Sequence, residues 1–170
     1  MKTPSDSLTI LTNIILPSET NSLNNIFGGE LLSRMDRIGS ISARRHAGVE
    51  NVVTASVNLV TFQQPIPMGQ IATLEAKVSR VFSTSMEVII DVFMEETSTG
   101  EKTQTNQGIF TFVAMDSLGK PIQSDPVVPQ SQEEKIRYQD ALMRREISLM
   151  SAGRIKPSQA IELKKKVLEE

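Results

Sequence analysis

The sequence predicts an α+β fold in which an antiparallel sheet curls around one long helix. Apolar side chains recur with the helical period across residues 26–46. The period then changes to two across residues 51–116, which is typical of strands with one buried face. An apolar helix stripe and an apolar sheet face bury each other when they pack, so the two patterns together predict this architecture.

Length, charge and composition limit the functions to consider. The chain has 170 residues and no cysteine, which excludes disulfides, thiol nucleophiles and zinc–thiolate sites. Its net charge of -2 argues against nucleic acid as the main partner. No apolar run approaches the roughly 18 residues of a membrane-spanning helix, and the first residues lack the pattern of a secretory signal. A cytoplasmic protein is therefore expected.

The single histidine, His46, limits the chemistry further. A histidine-based metal site needs more ligands than this sequence offers, so no metal is expected. His46 lies in the segment ARRHAG, just before Gly48, and glycine commonly ends a helix. A histidine is favoured in the last helical turn by the helix dipole, which predicts a structural role. The alternative, a catalytic triad, would have to use this same residue.

The N-terminal part is expected to hold a strand, a loop and the long helix. Residues 8–16, LTILTNIIL, are apolar and β-branched and predict a strand. The loop PSETNSLNN follows. The helix over residues 26–46 carries its apolar stripe on Leu31, Met35, Ile38 and Ser42. The small residues from Gly39 to Ala43 suit a helix pressed closely against a flat surface.

Four strands are then expected to form an antiparallel meander. They are predicted at residues 51–62, 71–82, 85–95 and 103–115, joined by short segments rich in turn residues. In the second of these strands, the apolar face is assigned to Ala72, Leu74, Ala76, Val78 and Phe82. In the third strand, the apolar face is assigned to Met86, Val88, Ile90, Val92 and Met94.

A connector and helices are expected after the sheet. Residues 119–130 hold three prolines, which predicts an irregular segment. Ser131 and Glu134 have the spacing of a capping box, and a helix is predicted from there to about residue 151. A second, shorter helix is expected from Ser158.

The chain is thus divided into a domain over residues 1–125 and a connector with C-terminal helices over residues 126–170. The first C-terminal helix carries three arginines that are expected to form a solvated basic face. The alternative is that they contact phosphate groups of a ligand. These residues are Arg137, Arg144 and Arg145.

The start of the long helix has the composition of an oxyanion site. The first N–H groups of a helix lack intrahelical partners and carry partial positive charge. Gly28 and Gly29 have no Cβ, so a carbonyl oxygen can approach this backbone and be stabilised as it gains negative charge. Asp36, seven residues after Gly29, lies on nearly the same face, where a carboxylate can deprotonate water or attack directly. Asn21 precedes the helix and offers an amide to orient the water or the substrate.

The same residues also have a purely structural explanation. Glycines near a helix start can serve close packing alone, and an aspartate within a helix can simply face solvent. Asparagines are common in turns. The spacing by itself therefore leaves both explanations open.

Four stretches of the chain resemble the acyl-CoA thioester hydrolase family of the hotdog fold. The first, TNSLNNIFGGELLSRMD at residues 20–36, is similar to that family's T-N-x-x-G-x-x-F-G-G segment and to the helix with M-D that follows. The others are VVTASVNLVTFQQPIPMG at 52–69, STSMEV at 83–88 and FTFVAMDSLGKP at 110–121. The resemblance covers about residues 8–125, in order and with natural spacing, and does not cover the tail after about residue 130.

The resemblance implies an enzyme that hydrolyses fatty acyl-CoA to CoA and a carboxylic acid. It places the catalytic pair at Asn21 and Asp36, which in the family meet across a dimer interface. It also implies that Gly28 and Gly29 hold the thioester carbonyl. No cofactor or metal is implied, and the expected partners are the acyl-CoA substrate and further copies of the chain, as dimers and then hexamers built from three dimers. The CoA-binding residues that it implies are Ser83, Thr84 and Ser85.

Three positions depart from the family pattern. Asn24 replaces a frequent glycine, which is tolerable because asparagine adopts the left-handed conformation more readily than most residues. Asn58 replaces a frequent acid, which can change how the site or the acyl pocket is tuned. Thr111 replaces a frequent lysine or arginine, which can remove a phosphate contact.

Two other functions compete with hydrolysis. A hotdog module that only binds or senses acyl-CoA would keep the fold but need not keep both Asn21 and Asp36, so their joint presence favours the enzyme. A hotdog dehydratase or hydratase usually pairs a histidine with a carboxylate, and His46 lies outside the motif. Hydrolysis is therefore the leading hypothesis.

Overall fold

A computed structural model describes residues 1–168 of the chain and confirms the α+β architecture. Its strands form one antiparallel sheet in the order β1-β3-β4-β5-β2. The strands are β1 Thr9–Ile14, β2 Val52–Phe62, β3 Ile71–Val81, β4 Ser85–Glu95 and β5 Lys102–Ala114. The α-helices are α1 Gly28–Ala47, α2 Gln132–Ser151 and α3 Ile161–Leu168.

The core lies between α1 and the inner face of the sheet. The stripe predicted for the long helix is buried, with Leu31, Met35 and Ile38 at most 1% exposed. A Cβ on Gly39 would come within 2.9 Å of the Phe112 ring, so only a glycine allows the helix to approach the sheet this closely. The small residues of α1 therefore serve packing, as the sequence predicts.

The predicted meander is wrong at its first connection. β2 pairs with β5 and not with β3, so the meander comprises only β3, β4 and β5. The segment between β2 and β3 contains Pro65 and Pro67, which cannot donate backbone hydrogen bonds and prevent a tight hairpin. It instead crosses to the loop before α1, where Ile26 N donates to Ile66 O at 2.9 Å. This crossing holds the start of the helix and leaves β2 at an edge of the sheet.

The assignment of Phe82 to the core face is also wrong. Ala72, Leu74, Ala76 and Val78 are fully buried, as predicted. A β-bulge between Val78 and Arg80 then shifts the alternation. After the bulge Val81 packs against the core, while the Phe82 ring lies on the outer face beneath the guanidinium of Arg145, 4.1 Å away.

The helix α2 covers the outer face of the sheet through ion pairs, so the expected solvated basic face is wrong for Arg137 and Arg144. Arg144 donates two hydrogen bonds to the Glu87 carboxylate, at 2.9 and 2.7 Å. Arg137 donates two to Asp91, at 2.6 and 3.1 Å. Because carboxylates of β4 neutralise their charges, these two arginines fix the helix to the sheet. They are therefore not free to bind phosphate groups of a ligand.

Replacing Arg144 with alanine is expected to lower the free energy of unfolding by about 3 kcal/mol. Glu87 is only 2% exposed, and the variant would leave its buried charge with the Ser79 hydroxyl, at 2.6 Å, as partner. Urea unfolding at one fixed protein concentration measures the loss. A suitable control is Lys102→Ala, which breaks a largely exposed pair with Glu95 and should cost less than about 1 kcal/mol. Equal losses in the two variants would contradict the buried pair's role.

The C-terminal end of α1 has the structure predicted for it. The helix ends at Gly48, whose φ of 71° is left-handed, and His46 is completely buried in the last turn. The His46 ring Nε2 lies 2.8 Å from the carbonyl oxygen of Asp125. This contact ties the end of the helix to the connector that leads to α2. None of the helices within residues 1–168 combines the length and apolarity needed to cross a bilayer.

Candidate active site

The start of α1 presents free backbone donors. The first intrahelical hydrogen bond runs from Leu31 N to Phe27 O at 3.0 Å, so the N–H groups of Gly28, Gly29 and Glu30 have no intrahelical acceptor. No side chain within residues 1–168 caps this helix end. A Cβ added to Gly29 would meet no atom of the described residues within 4 Å, so the space above this backbone is open. A ligand carbonyl can therefore reach the helix start.

A cavity of about 350 Å³ lies beside the helix start. Its lining includes Asn21 and Gly28, so the structure brings these two predicted residues together. The Phe62 ring, at the end of β2, closes one side and lies 3.4 Å from the Cβ position of Gly28. Asn106 of β5, to which the sequence analysis assigns no role, also lines this cavity.

The Asn21 side chain is half engaged in a turn. Its Oδ1 accepts hydrogen bonds from Leu23 N at 2.9 Å and from Asn25 N at 3.2 Å, which is the structural role that asparagines have in turns. Its Nδ2 makes no hydrogen bond to any described residue. Asn24, later in the same loop, has a φ of 56°, so it adopts the left-handed conformation that asparagine tolerates better than most residues. The turn thus fixes the amide while leaving its N–H donors available.

Asp36 is half-buried on α1 and receives a hydrogen bond from β2. The Thr54 hydroxyl donates to Asp36 Oδ1 at 2.6 Å. Sequence reasoning missed Thr54, because the contact joins residues eighteen positions apart on two different elements. The only indication of Thr54 in the sequence is that it is a polar residue within the strand motif TASVN. The hydroxyl orients the carboxylate and leaves the other oxygen to act on a ligand.

Within one chain the Asp36 carboxylate does not reach the helix start. Seven residues separate Asp36 from Gly29, which at the helical rise amounts to about 10 Å along the axis. A base that acts through one attacking water has to lie within about 6 Å of the carbonyl carbon, since the water is about 3 Å from each. The cavity that holds Asn21 and Gly28 does not include Asp36 in its lining. The single chain therefore separates the two halves of the predicted site.

The segment predicted to contact CoA lies on the outer face of the sheet. Thr84 and Ser85 line a cleft of about 300 Å³ beneath the end of α2, together with Arg145 and Arg154. Arg145 donates to Ser85 Oγ at 3.0 Å. Burial lowers the pKa of the Arg145 guanidinium, which nevertheless stays protonated at neutral pH. Ser83 is exposed at the rim of the turn and does not line the cleft.

Two of the departures from the family pattern meet in this same cleft. Asn58 Nδ2 donates to Thr111 Oγ1 at 2.8 Å, and the Ser56 hydroxyl donates to Asn58 Oδ1. An acid and a base at these two neighbouring positions would be placed to form an ion pair. In this chain a neutral hydrogen-bonded pair replaces it. The departures are therefore coupled to each other and do not touch Asn21 or Asp36.

Comparison with known proteins identifies the family. Residues 23–101 match the family model described as the thioesterase superfamily. The chain is 41% identical to the uncharacterized acyl-CoA thioester hydrolase YkhA of Bacillus subtilis, over 82% of this chain and 80% of YkhA.

Solved structures agree in fold. The crystal structure of an apo-hexameric acyl-CoA thioesterase superposes with a TM-score of 0.85 and 39% identity, covering 88% of this chain and 96% of the other. An acyl-CoA hydrolase from Staphylococcus aureus, solved with butyryl-CoA, CoA and CoA disulfide, has a TM-score of 0.83 and 34% identity, covering 95% and 97% of the two chains. That enzyme has also been solved as asparagine, aspartate and threonine variants to alanine. The chain is therefore a thioester hydrolase of the hotdog fold and belongs to the acyl-CoA thioester hydrolase family.

Proposed function

We propose that the protein hydrolyses fatty acyl-CoA to free CoA and a carboxylic acid. The observation that carries the proposal is the open start of α1, where Gly28, whose N–H has no intrahelical acceptor, and Asn21, whose Nδ2 donates to no described residue, line one cavity. A thioester carbonyl bound there meets the helix-start glycines, Gly28 and Gly29. Backbone donors aimed at a developing oxyanion are among the strongest contributions that a protein makes to acyl transfer.

The second part of the mechanism is a base supplied by Asp36. The carboxylate, oriented by Thr54, takes a proton from water as the water oxygen attacks the carbonyl carbon. The tetrahedral intermediate carries its negative charge on the oxygen held by the helix start. When the carbonyl re-forms, the C–S bond breaks, the CoA sulfur leaves and receives the proton from Asp36. The products are a carboxylic acid and CoA thiol.

The Staphylococcus aureus variants support this assignment. The asparagine and the aspartate replaced in that enzyme are fifteen positions apart, as Asn21 and Asp36 are. The threonine replaced there follows its aspartate by seventeen positions, and Thr54 follows Asp36 by eighteen. The three side chains that the geometry selects thus correspond in type, order and near spacing to three that were substituted in a relative.

The two halves of the site are proposed to meet across a dimer interface. β2 is an edge strand with a row of exposed apolar side chains, which favours pairing with another strand. Thr54 near its beginning and Phe62 at its end lie about 26 Å apart. If two copies of β2 pair antiparallel about a two-fold axis, the beginning of one strand lies opposite the end of the other. The Asp36–Thr54 pair of one subunit then faces the helix start of its partner.

Further parts of the proposal rest on the outer cleft and on the relatives. We propose that Ser83, Thr84 and Ser85 contact the CoA moiety, with Arg145 supplying positive charge for its phosphates. Some relatives are hexameric, which supports an assembly of three dimers for this chain. No cofactor or metal takes part in the mechanism, so chelators should not lower activity. Its substrates would place the enzyme in lipid metabolism, and a cytoplasmic location stays a prediction of the sequence.

The proposal is tested by thiol release from acyl-CoAs of increasing chain length. Hydrolysis that the wild type performs and the Asp36→Ala variant has lost would establish it. Binding of acyl-CoA without any hydrolysis would favour the non-catalytic module instead.

Replacing Asn21 with alanine is expected to lower kcat by at least about tenfold, equivalent to about 1.4 kcal/mol of transition-state stabilisation. The variant loses the Nδ2 donor and also the two turn hydrogen bonds of Oδ1. Asn21→Asp provides a matched comparison, because its carboxylate keeps the turn acceptors and lacks the N–H donors. Steady-state thiol release measures both variants. A fully active Asn21→Asp enzyme would show that Asn21 only shapes the turn.

A further inference from the structure

An ion pair beside the start of α1 is not used by the proposed mechanism. Arg34 Nη2 donates to Glu19 Oε1 at 2.5 Å, and the two side chains are 7% and 20% exposed. A longer contact of 3.6 Å joins Arg34 Nε to Glu30, one turn earlier in the helix. Arg34 Nη1 is buried and has no hydrogen-bond partner in the described part of the chain. Because burying a guanidinium costs its hydration, this incompletely paired group is weak evidence for a role in stability alone.

The carboxylate of Glu19 is also held by the backbone of its own segment. Pro17–Glu19 forms a short 3₁₀ helix, and Glu19 Oε2 accepts a hydrogen bond from Leu16 N at 2.9 Å. This hydrogen bond contributes most to lowering the pKa of the Glu19 carboxyl, and the Arg34 guanidinium lowers it further. Glu19 therefore presents an ionised carboxylate in a fixed position to the side of α1.

Glu19 lies at the base of the loop that carries Asn21. This Asn21 loop, residues 20–26, runs from Glu19 to Phe27, the residue directly before α1. Phe27 N donates to Glu19 O at 2.9 Å, which closes the loop at its base. The ion pair with Arg34 adds a second connection between Glu19 and the helix, nearly two turns further along.

Arg34 and the helix-start glycines belong to the same rigid helix. Arg34 lies five residues after Gly29, which is about 8 Å along the axis, and helical side chains lean towards the N-terminus. Two segments joined by one hydrogen bond can hinge about it, whereas a second connection at another point restricts that motion. Groups that act together on one substrate have to be held within about 0.5 Å of the productive geometry.

We propose that Glu19 and Arg34 are positioning residues of the hydrolysis, which hold the Asn21 amide in place against the helix start. The inference rests on the proposed function, because it assumes that Asn21 acts on a thioester bound at Gly28 and Gly29. Neither side chain of the ion pair has to touch the substrate. Without the pair the loop can shift, and a displacement of about 1 Å can cost up to about a hundredfold in rate.

The test replaces Arg34 with methionine, which removes the guanidinium and keeps an unbranched side chain for packing. We expect kcat for thiol release to fall about tenfold, while KM stays within about twofold, because the outer cleft is untouched. Arg34→Lys keeps a cationic donor for Glu19 and should retain kcat within about threefold of the wild type. The matched control is Arg137→Met, which breaks the ion pair with Asp91 on the outer face of the sheet and should leave kcat unchanged.

A second variant approaches the pair from its other partner. Glu19→Gln removes the negative charge and keeps an oxygen that can accept from Leu16 N, so it should reproduce the loss of kcat if Arg34→Met does not fold. Circular dichroism and size-exclusion chromatography establish which variants fold and assemble.

A double substitution separates positioning from stability. Asn21→Asp keeps the turn acceptors and lacks the amide donors, so adding Arg34→Met to it should lower kcat no further. A residue that only stabilises the fold would lower kcat by the same factor in either background. Amide hydrogen exchange gives a readout that does not need activity. Peptides covering residues 20–26 should exchange about tenfold faster in Arg34→Met than in the wild type or Arg137→Met.

Several outcomes would overturn the inference. One is a wild-type kcat in a folded Arg34→Met or Glu19→Gln enzyme. Another is an equal loss of kcat in the wild-type and Asn21→Asp backgrounds. A change confined to KM would make Arg34 a residue for substrate binding. If the wild type hydrolyses no acyl-CoA, the proposed function fails, and hydrogen exchange still decides whether the pair holds the Asn21 loop, since unchanged exchange in Arg34→Met would exclude it.

Discussion

Replacing Asp36 with alanine is expected to abolish hydrolysis of every acyl-CoA that the wild type accepts, with kcat lowered by at least about a thousandfold. The methyl group cannot take a proton from water, and water alone is a poor nucleophile towards a thioester. The helix start would still polarise the carbonyl, so binding should survive while turnover is lost. Thiol release with a panel of short to long acyl-CoAs measures the rate, and calorimetry with CoA measures binding.

Asp36→Asn is the matched control for this experiment. Its amide oxygen can still accept the hydrogen bond from Thr54, which the carboxylate receives at 2.6 Å, but the side chain cannot act as a base. Because Asp36 is half-buried and lies outside the core, both variants should fold and unfold like the wild type. An Asp36→Asn enzyme with wild-type kcat would rule out base catalysis by this residue. If both variants hydrolyse normally, the catalytic site lies elsewhere.

Local patterns predicted the elements of this fold better than their arrangement. The helix and the strands follow from apolar periodicity, because each exposes one face to the core along its own length. The position of β2 does not follow, since a connection with Pro65 and Pro67 can turn back or cross the sheet, and only tertiary contacts decide. The displacement of Phe82 has a similar origin. A single bulge after Val78 reverses every later side chain, and no residue type marks it in the sequence.

The same distinction applies to the candidate site. Gly28, Gly29 and Asn21 could be selected in advance, because a helix start and a turn are local structures with local signatures. Thr54 and Asn106 could not be selected from the sequence. Thr54 becomes a candidate only through its hydrogen bond to Asp36, and Asn106 only because it lines a cavity formed by distant segments. The pairing of Arg144 with Glu87 is of this second kind as well. A charged side chain on a predicted helix does not show which carboxylate lies opposite it.

Mixing the two impaired variants, Asn21→Ala and Asp36→Ala, is expected to restore activity if the site is shared between subunits. A dimer of one Asn21→Ala and one Asp36→Ala chain contains one site with both substitutions and one site with neither. Random pairing makes about half of the dimers mixed, so the mixture should reach about a quarter of wild-type activity. The two chains can be co-expressed with different tags and assayed by thiol release, and purification through both tags, which selects the mixed dimers, should raise the activity to about half of the wild type.

The distance between Asp36 and the start of α1 allows this experiment to distinguish a shared site from a site within one chain. Asp36 lies about 10 Å beyond the glycines that are proposed to bind the carbonyl, so a site within one chain would need the helix to unwind. A shared site needs only that two β2 edges pair. The control is a mixture of Asp36→Ala with Asp36→Asn, in which every site lacks the carboxylate and no activity should return. If the Asn21 and Asp36 mixture also stays inactive although mixed dimers are recovered, then each subunit must build its site alone, and the pairing of β2 across a two-fold axis would have to be abandoned as the route to catalysis.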